Sequence, residues 1–106
     1  MYNQYRFFAN LVDEVSIAKE SIVSRTLNND TGGKTILFGF DTGQELSEHT
    51  ASVPATLHIL KGEGSLTLGE ETYDIREGAF AIMQANVSHS IVAKTPMIML
   101  LYMHGK

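Results

Sequence analysis

The chain has 106 residues, of which 43% are apolar and 19% are charged, as expected for one globular domain spanning residues 1–106. The formal net charge is −4, and no cluster of Lys or Arg provides the basic stripe of a nucleic-acid-binding surface, so we expect no nucleic-acid partner. The absence of cysteine excludes disulfides and thiolate metal sites, and the absence of a signal-peptide pattern or a membrane-length apolar run predicts a cytoplasmic protein without a membrane partner.

Residues 1–20 predict a short N-terminal arm or helix. Apolar residues recur there at helical spacing, which allows one or two helical turns between Phe7 and Glu20. Asn10 interrupts the pattern, so an extended arm lying on the rest of the fold fits equally well. The apolar residues are Phe7, Phe8, Leu11, Val12 and Val15.

The remaining sequence predicts about nine short strands separated by turn residues. Stretches rich in β-branched and aromatic residues alternate with Gly, Asn and Asp, which favour turns. Such regular spacing is typical of a β-sandwich or β-barrel. The predicted strands cover residues 22–27, 34–40, 45–50, 56–61, 65–68, 72–75, 79–83, 88–94 and 97–103.

The last predicted strand, at residues 97–103, is apolar on both of its faces. A strand with one face in water would alternate between apolar and polar residues. One face is expected to fill the barrel, and the other face needs a second cover. That cover is either the N-terminal arm or a second subunit, and the second reading predicts a homodimer.

Two stretches of the sequence resemble the two motifs of the cupin family. The first family motif reads G, five residues, H-x-H, three or four residues, E, six residues, G, and the second reads G, five residues, P-x-G, two residues, H, three residues, N. The matching positions here are Gly43, His49, Ala51, Ala55 and Gly62 for the first motif, and Gly78, Gln84, Asn86, His89 and Ala93 for the second. The resemblance covers residues 34–103 and implies an all-β, cupin-type double-stranded β-helix (a jelly-roll barrel).

The resemblance also implies a site inside the barrel. In the family, positions 49, 51, 55 and 89 point inward and hold a divalent metal ion. This chain keeps His49 and His89 but has Ala51 and Ala55, which cannot bind a metal. Two imidazoles make a weak site, because a catalytic metal normally has three or more protein ligands. We therefore expect one weakly held divalent ion (Zn, Ni, Fe or Mn) at most, and no organic cofactor.

Three other side chains are candidates for a third ligand: His58, Gln44 and Gln84. His58 has the opposite strand parity to Leu57, so a regular strand would turn it outward. The residues expected to line the pocket are Ala51, Ala55, Leu57 and Ile91.

These features predict a small cupin barrel that binds a small molecule, a divalent metal ion, or both. An alternative is a metal-dependent enzyme, such as a dioxygenase or isomerase, in which substrate and water complete the reduced ligand set. Metal-free acid–base chemistry by the two histidines is a third reading, since imidazole titrates near neutral pH. A purely structural barrel is the fourth. The sequence does not decide whether the protein is an enzyme.

Overall fold

The computed structural model describes residues 4–105, and nine strands account for most of them. A five-stranded sheet has the order β1-β2-β9-β4-β7, and a four-stranded sheet has the order β3-β8-β5-β6. All neighbouring strands are antiparallel, and the two sheets form the predicted jelly-roll barrel. The strands are β1 Ile22–Asp30, β2 Gly33–Phe40, β3 Glu45–His49, β4 Ala55–Lys61, β5 Gly64–Leu68, β6 Glu71–Ile75, β7 Phe80–Met83, β8 His89–Ala93 and β9 Met97–His104.

The first hairpin differs from its prediction because β1 continues to Asp30, whereas the sequence placed a turn from residue 28. A β-bulge between Thr26 and Asn28 keeps the strand paired with β2. The Asp30 carboxylate accepts hydrogen bonds from the Asn28 side chain at 3.1 Å and from the backbone N–H of Gly32 at 2.8 Å. These hydrogen bonds lower the pKa of Asp30, and the bond from the Asn28 side chain has the largest effect. The turn is therefore reduced to two residues.

The main core lies between the two sheets. On β4, Ala55, Leu57 and Ile59 are buried and alternate with outward-facing residues, as the period of two requires. The inward side chains of the other strands complete the core by the same alternation. Its buried members are Phe40, Ala55, Leu57, Ile59, Leu66, Ile75, Met83, Ile91, Ala93, Met97, Met99 and Leu101.

Over residues 4–20 the N-terminal arm is mostly irregular. The only helical element of that range is a 3₁₀ turn at Leu11–Glu14, and Asn10 caps this turn by accepting a hydrogen bond from the Val12 N–H at 3.4 Å. Val15 returns to extended backbone, so the helical spacing extends no further. No helix among residues 4–105 is long and apolar enough to cross a membrane.

The arm covers part of the outer face of the five-stranded sheet, the face turned away from the four-stranded sheet. Leu27, Leu37 and Ile98 are buried there beneath apolar arm residues that include Leu11 and Val12. The approach is close at Gly39, where a Cβ atom would lie 2.6 Å from the carbonyl oxygen of Ser16. The arm therefore provides a cover for the outer apolar face of β9, and that face does not require a second subunit.

Polar contacts tether the arm at both ends. The Arg6 guanidinium donates to the carbonyl oxygen of Leu27 at 2.6 Å, and Arg25 forms an ion pair with Glu14 at 2.6 Å. The Glu20 N–H donates to the Asp41 carboxylate at 2.7 Å. This bond, followed by one from the Thr42 N–H, lowers the pKa of Asp41.

Candidate functional site

His49 and His89 lie side by side on neighbouring strands. His49 ends β3, His89 begins β8, and the two residues are register partners. Their ring centroids are 4.1 Å apart, with the ring planes inclined at 60°. The structure thus brings together the two histidines that the motif spacing singled out.

A β-bulge in β3 produces this pairing. Leu46 pairs with Ile91, so a regular antiparallel ladder would place Glu48 opposite His89. The register shifts between Leu46 and His49, and His49 takes that position instead. The Glu48 carboxylate accepts a hydrogen bond from the Ser88 hydroxyl at the exposed surface. Because of the bulge, the residue opposite His89 is His49 rather than Glu48.

Both imidazoles are held by backbone carbonyl groups two residues earlier in the chain. The Nδ1 atom of His49 lies 2.8 Å from the carbonyl oxygen of Ser47, and Nδ1 of His89 lies 3.0 Å from that of Val87. A carbonyl oxygen can only accept, so each Nδ1 carries the ring proton. In a neutral ring the Nε2 atom then bears a lone pair. Each ring consequently presents an acceptor to a ligand.

The two rings differ in exposure. His89 is 7% exposed and is the only buried polar residue among those that the structure describes, whereas His49 lies exposed at the mouth of the site. Neither Nε2 atom has a hydrogen-bond partner among residues 4–105, and no side-chain nitrogen or oxygen atom that is itself buried lacks a partner there. The Nε2 atom of His89 therefore stays accessible although the residue as a whole is buried, and it is open to a ligand.

The two histidines line a cavity of about 270 Å³ between the sheets. Apart from them, Thr50 is the only polar residue of the lining. The other lining residues are Ile36, Phe38, Leu46, Ala51, Ala55, Leu101 and Met103. The site is thus an apolar cavity with two imidazoles at its edge.

The structure separates the four residues that the sequence suggested for a pocket. Ala51 and Ala55 line this cavity, whereas Leu57 and Ile91 lie in the core and do not line it. The alternation of inward and outward residues along β2 and β9 could have predicted that Ile36, Phe38, Leu101 and Met103 line the cavity. No sequence pattern predicted the same for Thr50.

None of the three candidates for a third ligand lies at the cavity. His58 faces outward on β4 and packs edge-on against Phe80, with ring centroids 5.7 Å apart. Gln44 is half-buried before β3 and Gln84 is exposed after β7, and neither lines the cavity. The structure does not bring these side chains to His49 and His89.

The donor set does not fit a metal ion held by the protein alone. Residues 4–105 contain no group of three or more His, Asp or Glu side chains that could hold one. The cavity offers two imidazole nitrogens, and the Ala51 and Ala55 positions add no donor. A protein-held catalytic ion usually has at least three such ligands.

Three other cavities formed by the described residues are larger, but no buried polar side chain lines them. The cavity between the arm and β1 has about 410 Å³ and includes Arg6 and Asn28. One of about 660 Å³ lies beside the β1–β2 turn and includes Asp30, Lys34 and His104. Another of about 380 Å³ opens between β6 and β7 and is lined mainly by apolar residues. Because ligand sites combine an apolar lining with a few placed polar groups, the histidine cavity is the better candidate despite its smaller volume.

Comparison with known proteins identifies the family. The cupin-domain family model matches residues 36–103, so the chain belongs to the cupin family. A search of curated proteins finds no significant match.

Solved structures agree with this assignment. A conserved protein of unknown function from Streptococcus pyogenes is 30% identical, with a TM-score of 0.86 over 98% of this chain and 91% of that chain. A cupin superfamily protein from Desulfitobacterium hafniense is 22% identical, with a TM-score of 0.87 over 98% of this chain and 94% of that chain. Salicylate 1,2-dioxygenase from Pseudoaminobacter salicylatoxidans is 14% identical, with a TM-score of 0.75 over 89% of this chain and 28% of that chain. At such low identity the last two show a shared fold alone.

Proposed function

We propose that the protein binds a small organic molecule in the cavity, through hydrogen bonds to Nε2 of His49 and His89. The observation that carries this proposal is the pair of Nδ1–carbonyl bonds, which fix both rings and leave both Nε2 atoms open. The lining is otherwise almost entirely apolar, which suits the body of an organic ligand. The cavity of about 270 Å³ is slightly smaller than typical ligand sites, so the ligand is about the size of a single ring.

A weakly held divalent ion is the second candidate. Metal-binding histidines commonly donate one ring N–H to a carbonyl group and bind the ion through the other nitrogen, and both rings here have that arrangement. His49 and His89 would hold Zn, Ni, Fe or Mn with two ligands, and the bound ion would supply Lewis-acid character. This candidate underlies the alternative of a metal-dependent enzyme.

The metal content of protein purified without an affinity tag separates the two candidates. We would measure it by elemental mass spectrometry beside the His49→Ala/His89→Ala variant, before and after incubation with Zn, Ni, Fe(II) and Mn. The proposal expects well below one ion per chain in both proteins. One ion per chain that is lost in the variant would favour the metal site. His104→Ala, which changes an exposed histidine outside the cavity, is the matched control.

A phenol titration then tests binding in the cavity. We expect shifts in the NMR signals of Leu46, Ala51 and Leu101, which line it. Ala51→Leu fills the cavity without removing either histidine and should abolish these shifts. A protein that binds neither an ion nor phenol would be a structural barrel, and the proposal would be wrong.

We also infer that any homodimer uses the part of the outer face that the arm leaves bare. Phe80 is 61% exposed and Ile82 is 72% exposed on β7, an uncharged edge strand, and such strands tend to pair with other chains. Sedimentation of the wild type beside Ile82→Glu tests this inference. A dimer that the substitution leaves intact would contradict it. The cytoplasmic location stays a prediction from the sequence.

A further inference from the structure

The cavity offers its ligand two hydrogen-bond acceptors and no fixed donor. From this we propose that it selects neutral molecules carrying two adjacent O–H or N–H donors on an apolar body, such as a catechol or a vicinal diol. The inference rests on the proposed function, namely that the cavity binds an organic ligand, and adds the chemical class of that ligand.

The acceptor character follows from the backbone bonds of the two rings. Ser47 and Val87 contribute carbonyl oxygens, so each Nδ1 must be the donor of its bond. The single proton of each neutral ring is thereby placed on Nδ1, and both Nε2 atoms are acceptors. Two acceptors side by side repel a ligand oxygen that lacks a hydrogen. They bind a ligand O–H or N–H.

The lining also disfavours a charged ligand. Within the described residues, no Asp, Glu, Lys or Arg lines the cavity, so no opposite charge would compensate a ligand carboxylate or ammonium group. The nearby Glu48 carboxylate accepts a hydrogen bond from the Ser88 hydroxyl and does not line the cavity. Burying an uncompensated charge among apolar side chains is costly. The ligand head group is therefore neutral.

The spacing of the rings sets the spacing of the donors. With ring centroids 4.1 Å apart, the two acceptors belong to neighbouring rings, so we expect a ligand whose two donors lie close together. Thr50 is the only other polar residue of the lining, and its hydroxyl can either donate or accept. The apolar remainder of the cavity receives the ring or chain that carries the donors.

Three ring-sized probes test the inference on protein freed of metal with EDTA and then dialysed. Catechol has two adjacent donors, ortho-difluorobenzene has nearly the same shape without them, and benzoate has an anionic acceptor. We expect the dissociation constant of catechol, measured by NMR titration, to be at least about tenfold lower than that of ortho-difluorobenzene, since two hydrogen bonds are gained. Benzoate should bind more weakly than catechol.

Two variants connect this preference to the histidines. In His49→Leu/His89→Leu the preference for catechol over ortho-difluorobenzene should fall to near one, while ortho-difluorobenzene still binds. His49→Leu alone changes an exposed residue at the mouth and should remove about half of the preference on a logarithmic scale. His58→Leu, on the outer face of the sheet, should leave all three dissociation constants unchanged.

The outcomes separate this inference from the proposed function. Tighter binding of benzoate than of catechol would overturn the acceptor assignment and leave the cavity as a ligand site. A preference for catechol that persists in the double variant would also overturn it, because other groups would then meet the donors. If no probe binds the wild type at millimolar concentration, the proposed function itself fails.

Discussion

The two faces of the five-stranded sheet are covered in different ways. The inner face packs against a second sheet and belongs to the large core that includes Phe40, Ile59 and Met99. The outer face is covered by a single extended segment, and only Leu27, Leu37 and Ile98 are fully buried there among the described residues. The inner face therefore contributes most of the stability, and it contains the cavity, where the packing stops at two histidines. The outer face stabilises the sheet without contacting that site.

The largest effect is expected in the inner core. Ile59 is fully buried and lines neither the histidine cavity nor the opening between β6 and β7. Ile59→Ala should lower the free energy of unfolding by about 2–5 kcal/mol, through lost burial and a residual void. Urea unfolding measures this loss. Glu70→Ala, at an exposed position in the turn between β5 and β6, is the control and should change stability by less than about 0.5 kcal/mol. Equal losses in the two variants would contradict the assignment of the core.

A smaller loss is expected beneath the arm. Leu37→Ala removes a buried side chain from the outer face, and the arm can settle into part of the space, so we expect about 2–3 kcal/mol. Phenol binding should be unchanged, because Leu37 points away from the cavity. Unfolding and titration on the same sample test both statements. If the variant is fully folded but binds phenol more weakly than the wild type, packing on the outer face of the sheet must influence the cavity on its inner face.

Restoring the two ligand positions of the family tests the geometry of the cavity. Ala51→His/Ala55→Glu would place four ligands around one space, and elemental mass spectrometry should find about one divalent ion per chain. Without metal the variant should be about 1–3 kcal/mol less stable, because Ala55 is buried and a carboxyl group would lack a partner there. Added Ni or Mn should raise its melting temperature. A variant that folds but retains no ion would show that these positions do not converge.

The smallest effect concerns the tether of the arm. Hydrogen bonds from the N–H groups of Glu20 and Thr42 lower the pKa of Asp41 from its ordinary value of 3.8. The folded state favours the ionised carboxylate. The stabilisation that the charge provides is therefore fully present at pH values above the ordinary pKa, and it is lost as the pH falls through the lowered pKa of the folded protein. Asp41→Asn should be slightly less stable than the wild type at neutral pH, and the two stability curves should converge in acid. Parallel curves would contradict the role of the charge.

The sequence predicted the strands and the two histidines because both depend on short, regular patterns. Alternation identified the inward side of β4, and the motif spacing placed His49 and His89 in one site. Asn86 has a positive φ of 69°, in agreement with its position where the family motif has Gly. These features are local, and a residue pattern is enough to define them.

Other features depend on packing that no local pattern encodes. The bulge in β3 decides that His49 rather than Glu48 faces His89, and no Gly or Pro marks it in the sequence. Whether the arm covers the outer face of β9 depends on the path that the arm takes across the sheet, and the sequence does not encode that path in a local pattern. Whether Leu57 and Ile91 line the cavity depends on how the core side chains fill the barrel, and the structure places both in the core.

The tautomers of His49 and His89 test the central claim most directly. Long-range ¹H–¹⁵N correlation NMR on metal-free protein distinguishes a protonated Nδ1 from a protonated Nε2. We expect both neutral rings to carry the proton on Nδ1, where the carbonyl oxygens of Ser47 and Val87 accept it. A proton on Nε2 of either ring would contradict the account, because that ring would then present a donor, and the cavity would favour a different class of ligand.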